Sequence, residues 1–172
     1  NIERCVVSLC WCDEIIVVDD FSIDGTLDKI RNPKSEIRNK SKIQIYKRKL
    51  NRDFAAQRNF GLEKATGEWV LFIDADEVVS AELGTEIRQQ IFDAAVIPTI
   101  EPGSTGTEKW IPGQARKDNK ATGFYIKRKD YFGGKWLKYG ETANVKLLRF
   151  GRREAGKWDG RVHEVWKVKG KS

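Results

Sequence analysis

The sequence predicts an α/β fold with a mostly parallel sheet flanked by helices. Short apolar runs alternate with amphipathic helical stretches over the first 97 or so residues, the spacing of βα units. Two of those runs, at 14–18 and 69–73, end abruptly in carboxylates: Asp19-Asp20 and Asp74-Ala75-Asp76-Glu77. Within 69–73 nothing alternates with polar residues, which marks a strand covered on both faces.

In chain order, residues 1–11 read as a helix and 14–18 as a strand. Phe21-Ser22-Ile23-Asp24-Gly25-Thr26 is turn-rich and opens a helix over 25–32 with Leu27 and Ile30 on its apolar side, ended by Asn32-Pro33. The next strand spans 41–46, with Ile43 and Ile45 on one face. Residues 54–65 form a helix feeding the central strand at 69–73. Residues 81–95 form another, with Leu83, Ile87, Ile91 and Ala94 along one stripe. Pro98–Thr122 breaks the pattern: rich in Pro, Gly, Ser, Thr and charge, with only Trp110 and Ile111 as anchors, it reads as a long loop. Beyond it, 123–129, 144–150 and 161–168 read as strands mixed with aromatic-rich turns.

At 172 residues and 40% hydrophobic content, a single domain with a real core is expected. No apolar run approaches the roughly 20 residues of a membrane-spanning helix. Cys5, Cys10 and Cys12 lack the partners of a zinc site and read as small core residues in a reducing cytosol. Charge is uneven. Residues 1–115 carry a net of −4 and residues 116–172 a net of +11, so the basic part should face something anionic: lipid headgroups, a lipid-phosphate acceptor or nucleic acid.

Ligands of open α/β sheets bind beyond the carboxyl ends of the strands. Asp74 and Asp76 sit at such an end with no Lys or Arg near them in sequence, so they should repel each other and invite a divalent cation, Mg2+ or Mn2+. The plainer reading is that Asp76 and Glu77 cap the helix that begins near Ser80.

The strand ending in Val18-Asp19, then Ser22-Ile-Asp24-Gly25-Thr26, then Phe54-Ala-Ala-Gln57-Arg58-Asn59, then the strand ending Asp74-Ala75-Asp76-Glu77, resembles the nucleotide-sugar-binding half of family 2 glycosyltransferases. The helix and strand-end motifs are similar to those of the lipopolysaccharide-core β-glucosyltransferase branch. The resemblance covers about residues 1–97 well and parts of 123–170 less tightly. It implies a GT-A (nucleotide-diphospho-sugar transferase), Rossmann-like domain. Residues 1–97 would be its nucleotide-sugar-binding half, 98–122 a loop, and 123–172 its acceptor-side half. Family members begin with a strand that this sequence does not show, so the expected form is N-terminally truncated.

By the same resemblance, Asp19 would accept a hydrogen bond from the uracil of a UDP-sugar, and Arg58 would approach the nucleotide. Asp76 would bind the metal directly, and Asp74 would contact the ribose, or the metal through water. Read from the residues alone, Arg58 pairs with an acid such as Asp53, while Asp24 and Thr26 cap the following helix. An inverting transferase needs a base for the acceptor hydroxyl, and Glu141, Glu164 and His163 are the candidates. Lys146, Arg149, Arg152 and Arg153 form a basic run, interleaved with Trp136, Tyr139, Trp158 and Trp166, whose rings suit sugars or single-stranded nucleic acid. No nucleic-acid-binding motif accompanies them.

The leading expectation is an enzyme on the cytoplasmic side of the envelope membrane, peripheral on its inner, anionic face. It would move a hexose from a UDP-sugar to a hydroxyl of a lipid- or glycan-linked acceptor in envelope or lipopolysaccharide synthesis. The alternatives are an inactive truncated binding module and a basic nucleic-acid-binding protein.

Overall fold

A computed structural model describes residues 1–31, 43–99, 109–112, 121–139 and 145–170. Its first part runs α1 (Ile2–Ser8), β1 (Ile15–Asp19), α2 (Thr26–Arg31), β2 (Ile43–Lys47), α3 (Phe54–Lys64), β3 (Trp69–Leu71) and α4 (Ala81–Ala95). The second part is all strands: β4 (Val96–Thr99), β5 (Lys109–Pro112), β6 (Gly123–Lys127), β7 (Tyr131–Phe132), β8 (Lys135–Trp136), β9 (Lys146–Arg152), β10 (Gly156–Asp159) and β11 (Val165–Val168). Every helix and strand expected in the first half forms, but the helix read over 1–11 is Ile2–Ser8. The strand read at 69–73 as central and covered on both faces is the half-buried Trp69–Leu71, at the edge of its sheet among the described residues. The proposed helix stop at Asn32-Pro33 lies outside the described residues.

The α/β class stands, but the pairing differs from a mostly parallel sheet. Among the described residues β1 and β2 pair in parallel, Ile15 opposite Ile43 through Asp19 opposite Lys47. The other ladders are antiparallel: β3-β9-β6 in one three-stranded sheet, and the hairpins β4–β5, β7–β8 and β10–β11. The reason is connectivity. Parallel pairing needs helical crossovers, and among the described residues no helix follows α4. The expected loop over 98–122 is corrected on the same ground. Its described parts, Pro98–Thr99 and Lys109–Pro112, belong to β4 and β5, with Pro98 opposite Trp110.

Two apolar clusters form. Val6, Ile15, Leu27 and Ile30 close the first, between α1, α2 and the β1–β2 pair, with Cys10 and Cys12 at its margin. The three cysteines are free thiols, as core residues should be. The second joins Ala55 and Leu62 of α3 with Phe72, Trp158 and Trp166, the two indoles stacking at 6.0 Å. Helix α3 therefore touches both halves, and its cap explains its start: the Asp53 carboxylate accepts the Ala56 N–H at 2.8 Å. On α4 the predicted stripe turns inward, with Ile87 buried and Leu83, Ile91 and Ala94 half-buried. Glu14, just before β1, accepts N–H bonds from Thr66 and Gly67 at 2.6 and 2.9 Å, tying the start of β1 to the start of β3.

Candidate functional site

The site is built on the carboxyl end of β3. The strand stops at Leu71, and the chain turns through Asp74–Glu77, where the Glu77 N–H reaches the Asp74 carbonyl and the Glu77 carboxylate accepts the Asp74 N–H, both at 2.9 Å. Glu77 is thus an internal brace of the turn. Asp76 is exposed, with no hydrogen bond or ion pair among the described residues.

Asp74 behaves differently. The expectation that no Lys or Arg stands near it is corrected by the fold. Arg58 Nη2 of α3 donates to its Oδ1 at 2.8 Å, and Arg149 Nη2 of β9 donates to its Oδ2 at 3.0 Å. These arginines lie 16 and 75 residues away in sequence, and pairing of β9 against β3 brings the second one in. Burial alone would push the Asp74 carboxyl up. The Arg149 hydrogen bond and the charges of Arg58 and Arg149 outweigh it and hold the group below the usual carboxylate range.

Arg58 is itself shared. Its Nε donates to Glu164 Oε1 at 2.8 Å, and its guanidinium lies 4.6 Å from the Trp158 ring centroid. The pairing of Arg58 with Asp53 considered from sequence does not form. Asp53 caps α3, and the Arg161 guanidinium lies 3.8 Å away. The Gln57-Arg58-Asn59 triplet sends three consecutive helical side chains in three directions. Gln57 exchanges bonds with Arg48 after β2, Arg58 reaches β3 and the β10–β11 turn, and Asn59 brackets the backbone N–H and carbonyl of Trp158, both at 2.9 Å. One turn of helix therefore fastens the first half to the second.

The acceptor-side candidates divide. Glu164 is buried beside Arg58, its side chain 13% exposed, so one oxygen already serves an ion pair. His163 is exposed, with φ at 58° in the left-handed region. Glu141 lies outside the described residues.

Asp19, at the end of β1, is 5% exposed, and both of its oxygens lie within hydrogen-bond reach of the Ser22 N–H, at 3.1 and 3.3 Å. It shapes the turn in which Phe21 takes a positive φ of 56°. Asp20, read as a plain turn residue, accepts the Leu50 N–H at 3.0 Å and holds the loop after β2 alongside. Asp24 accepts the Thr26 N–H at 3.1 Å, the expected cap.

The basic run is the other correction. Arg149 turns inward to Asp74, Arg152 pairs with Glu68, and Arg153 bonds Glu154 and the Gly67 carbonyl, leaving Lys146 exposed. Strand β9 places these arginines against the acids around β3, so three of the four do not form an open basic face. Arg149 is the functional residue that sequence reasoning placed wrongly. Its position in an apolar strand segment, Leu147-Leu148-Arg149-Phe150, was the available signal for a buried charge seeking an acid.

A cation fits this donor set with Asp76 as its protein ligand. The carboxylate is open to solvent, while both Asp74 oxygens are engaged by arginine. Among the described residues no group of three His, Cys, Asp or Glu side chains stands together as a ready-made metal site.

The end of β3 thus sets an exposed carboxylate, Asp76, beside a partly buried arginine–carboxylate chain, at the strand ends where open α/β sheets hold their ligands. The chain belongs to glycosyl transferase family 2: the model of that family matches residues 1–157. It is similar to the SPbeta prophage-derived glycosyltransferase SunS of Bacillus subtilis, 40% identical over 96 residues, 52% of this chain and 21% of that protein. It is also similar to the poly(ribitol-phosphate) beta-N-acetylglucosaminyltransferase TarS of Staphylococcus aureus, 36% identical over 70 residues, 40% of this chain and 12% of the relative. Among solved structures, S. aureus TarS 1–349 in complex with UDP aligns at a TM-score of 0.45 and 25% identity, over 73% of this chain and 37% of that one. The chain spans about a fifth of the length of the SunS relative. No helix among the described residues is long and apolar enough to cross a membrane.

Proposed function

We propose that this domain binds the donor in an inverting transfer of a hexose from a UDP-sugar to a hydroxyl of a lipid- or polysaccharide-linked acceptor in cell-envelope glycan synthesis. The observation that carries the reading is the chain Arg149–Asp74–Arg58–Glu164 beside the open Asp76 at the end of β3. The family gives sugar transfer, and the relative named for poly(ribitol-phosphate) transfer favours an envelope polymer as acceptor. The finer likeness to the lipopolysaccharide-core branch rests on the Gln57-Arg58-Asn59 and Asp74–Glu77 motifs.

Asp76 would hold Mg2+ or Mn2+, which when bound supplies positive charge to the diphosphate leaving group. Asp74, fixed from two sides by arginine, is a positioning residue that keeps the turn carrying Asp76 in one geometry. Arg58 and Arg149 place two cations directly behind that turn, where they favour a bound diphosphate through the local field. Asp19 shapes the turn after β1 that receives the base. Glu164 holds Arg58 through one oxygen, and Glu164, His163 and Glu141 stay the candidates to take the acceptor proton.

The test is calorimetric titration with UDP, with and without Mn2+, on the wild type and on Asp76→Ala. Metal-dependent binding that disappears in the variant, with unfolding unchanged, supports the assignment. Equal affinity in chelator, or in the variant, removes it.

A further inference from the structure

The β7–β8 hairpin presents nine consecutive exposed residues, 131–139. Five are large and apolar or aromatic: Tyr131, Phe132, Trp136, Leu137 and Tyr139, with Phe132 79% and Tyr139 89% exposed. The strands are two residues each, Tyr131 opposite Trp136 and Phe132 opposite Lys135, closed by Gly133 and Gly134, whose φ angles of 55° and 76° suit glycine. A two-stranded ribbon this short is marginal in water unless something covers it. Its charge is one-sided. Between 127 and 139 stand five basic residues and one acid, Asp130, and that acid is paired with Arg128 at 2.8 Å. The Lys129 and Lys138 ammonium groups lie 5.0 and 5.4 Å from the Trp136 ring centroid.

We propose that this hairpin docks the chain onto an anionic lipid surface, with Phe132 and Trp136 entering the headgroup boundary and Lys129, Lys135 and Lys138 meeting lipid phosphates. Exposed aromatic rings with lysines beside them are the composition of an interfacial anchor. Charge ranks this occupant above two others. Residues 131–139 carry Lys135 and Lys138 and no carboxylate, which favours an anionic surface over a neutral sugar. A second copy of the same face brings like charges together. The inward-turned arginines of β9 do not supply this surface; the hairpin lysines do.

The test is co-sedimentation of the whole chain with phosphatidylcholine vesicles with and without phosphatidylglycerol, beside a single-stranded polyuridylate probe at the same ionic strength. Phe132→Ser and Trp136→Ser should each lower partition to anionic vesicles about tenfold, the effect of exposing one large apolar side chain. The double variant K135E/K138E should remove the preference for anionic lipid. Lys157→Glu, on β10, should change partition less than about twofold. Brominated lipid should quench the part of the emission that Trp136→Phe loses. Vesicle binding is read without donor or acceptor, so it stands or falls apart from sugar transfer. Wild-type partition in the hairpin variants, indifference to lipid charge, tighter holding of polyuridylate than of vesicles, or a soluble dimer broken by Phe132→Ser would each overturn the lipid assignment.

Discussion

Replacing Arg149 by methionine probes the buried link behind the site. The variant keeps an unbranched stem near Trp158, whose ring centroid lies 5.8 Å from the guanidinium, and deletes the 3.0 Å bond to Asp74 Oδ2. The Arg149 side chain is 11% exposed and that of Asp74 41%, so the pair is neither a surface contact nor fully desolvated. A charged hydrogen bond there contributes about 1–2 kcal/mol, the lower part of the range for pairs losing one partner, because solvent screens Asp74 and Arg58 still holds its Oδ1. For a chain of this size the melting temperature should fall by roughly 3–6 °C. The pH dependence identifies the mechanism. Arginine holds the Asp74 carboxyl below its ordinary value, so its contribution is full above the unfolded pKa of about 3.9 and is lost as pH falls through the folded value. Urea unfolding followed by tryptophan emission should therefore show the wild type ahead of the variant at pH 7, with the gap closing below about pH 4. In an Asp74→Asn background the same substitution should cost less. A loss equal at both pH values, and undiminished in that background, would show that Arg149 stabilises by packing and refute the ion-pair account.

Asn59→Ala strips both bonds from the Trp158 backbone and should cost about 1–3 kcal/mol in the same urea assay; a neutral result would mean that water replaces the amide. Gly156→Ala should be worse, since an added Cβ would overlap the Lys167 carbonyl oxygen, forcing β10 away from β11. Soluble expression with an unchanged denaturation midpoint would contradict that. The Cys5 thiol is pushed up to about 11 by burial first, and then by Glu77, Asp74 and Asp76. At pH 8 about one molecule in a thousand carries the thiolate, so iodoacetamide labelling of Cys5 should follow unfolding and accelerate in urea. Rapid labelling of the native chain would place Cys5 nearer solvent.

The sequence by itself determined the elements of the first half and the acid-ended strands. Their signals are local: an apolar run that stops at a carboxylate, an Asp53 cap, a stripe at helical spacing on α4. It likewise carried the family, because the Gln57-Arg58-Asn59 and Asp74–Glu77 motifs are short and contiguous. The fold alone decided which charges meet. Asp74 read as an unpaired carboxylate because its partners stand 16 and 75 residues away, and the bond of Glu164, a candidate base, to Arg58 went unread because it spans 106 residues. The β4–β5 hairpin went unread because Pro, Gly and charge dominate its surroundings, and no alternation survives in so short a run. The basic face of the second half looked continuous in sequence, yet β9 folds Arg149 and Arg152 onto the acids around β3, while the lysines of the β7–β8 hairpin stay exposed. Periodicity records which way a side chain faces within its own element, whereas ion pairing depends on which elements lie alongside, and that is set only when the strands close.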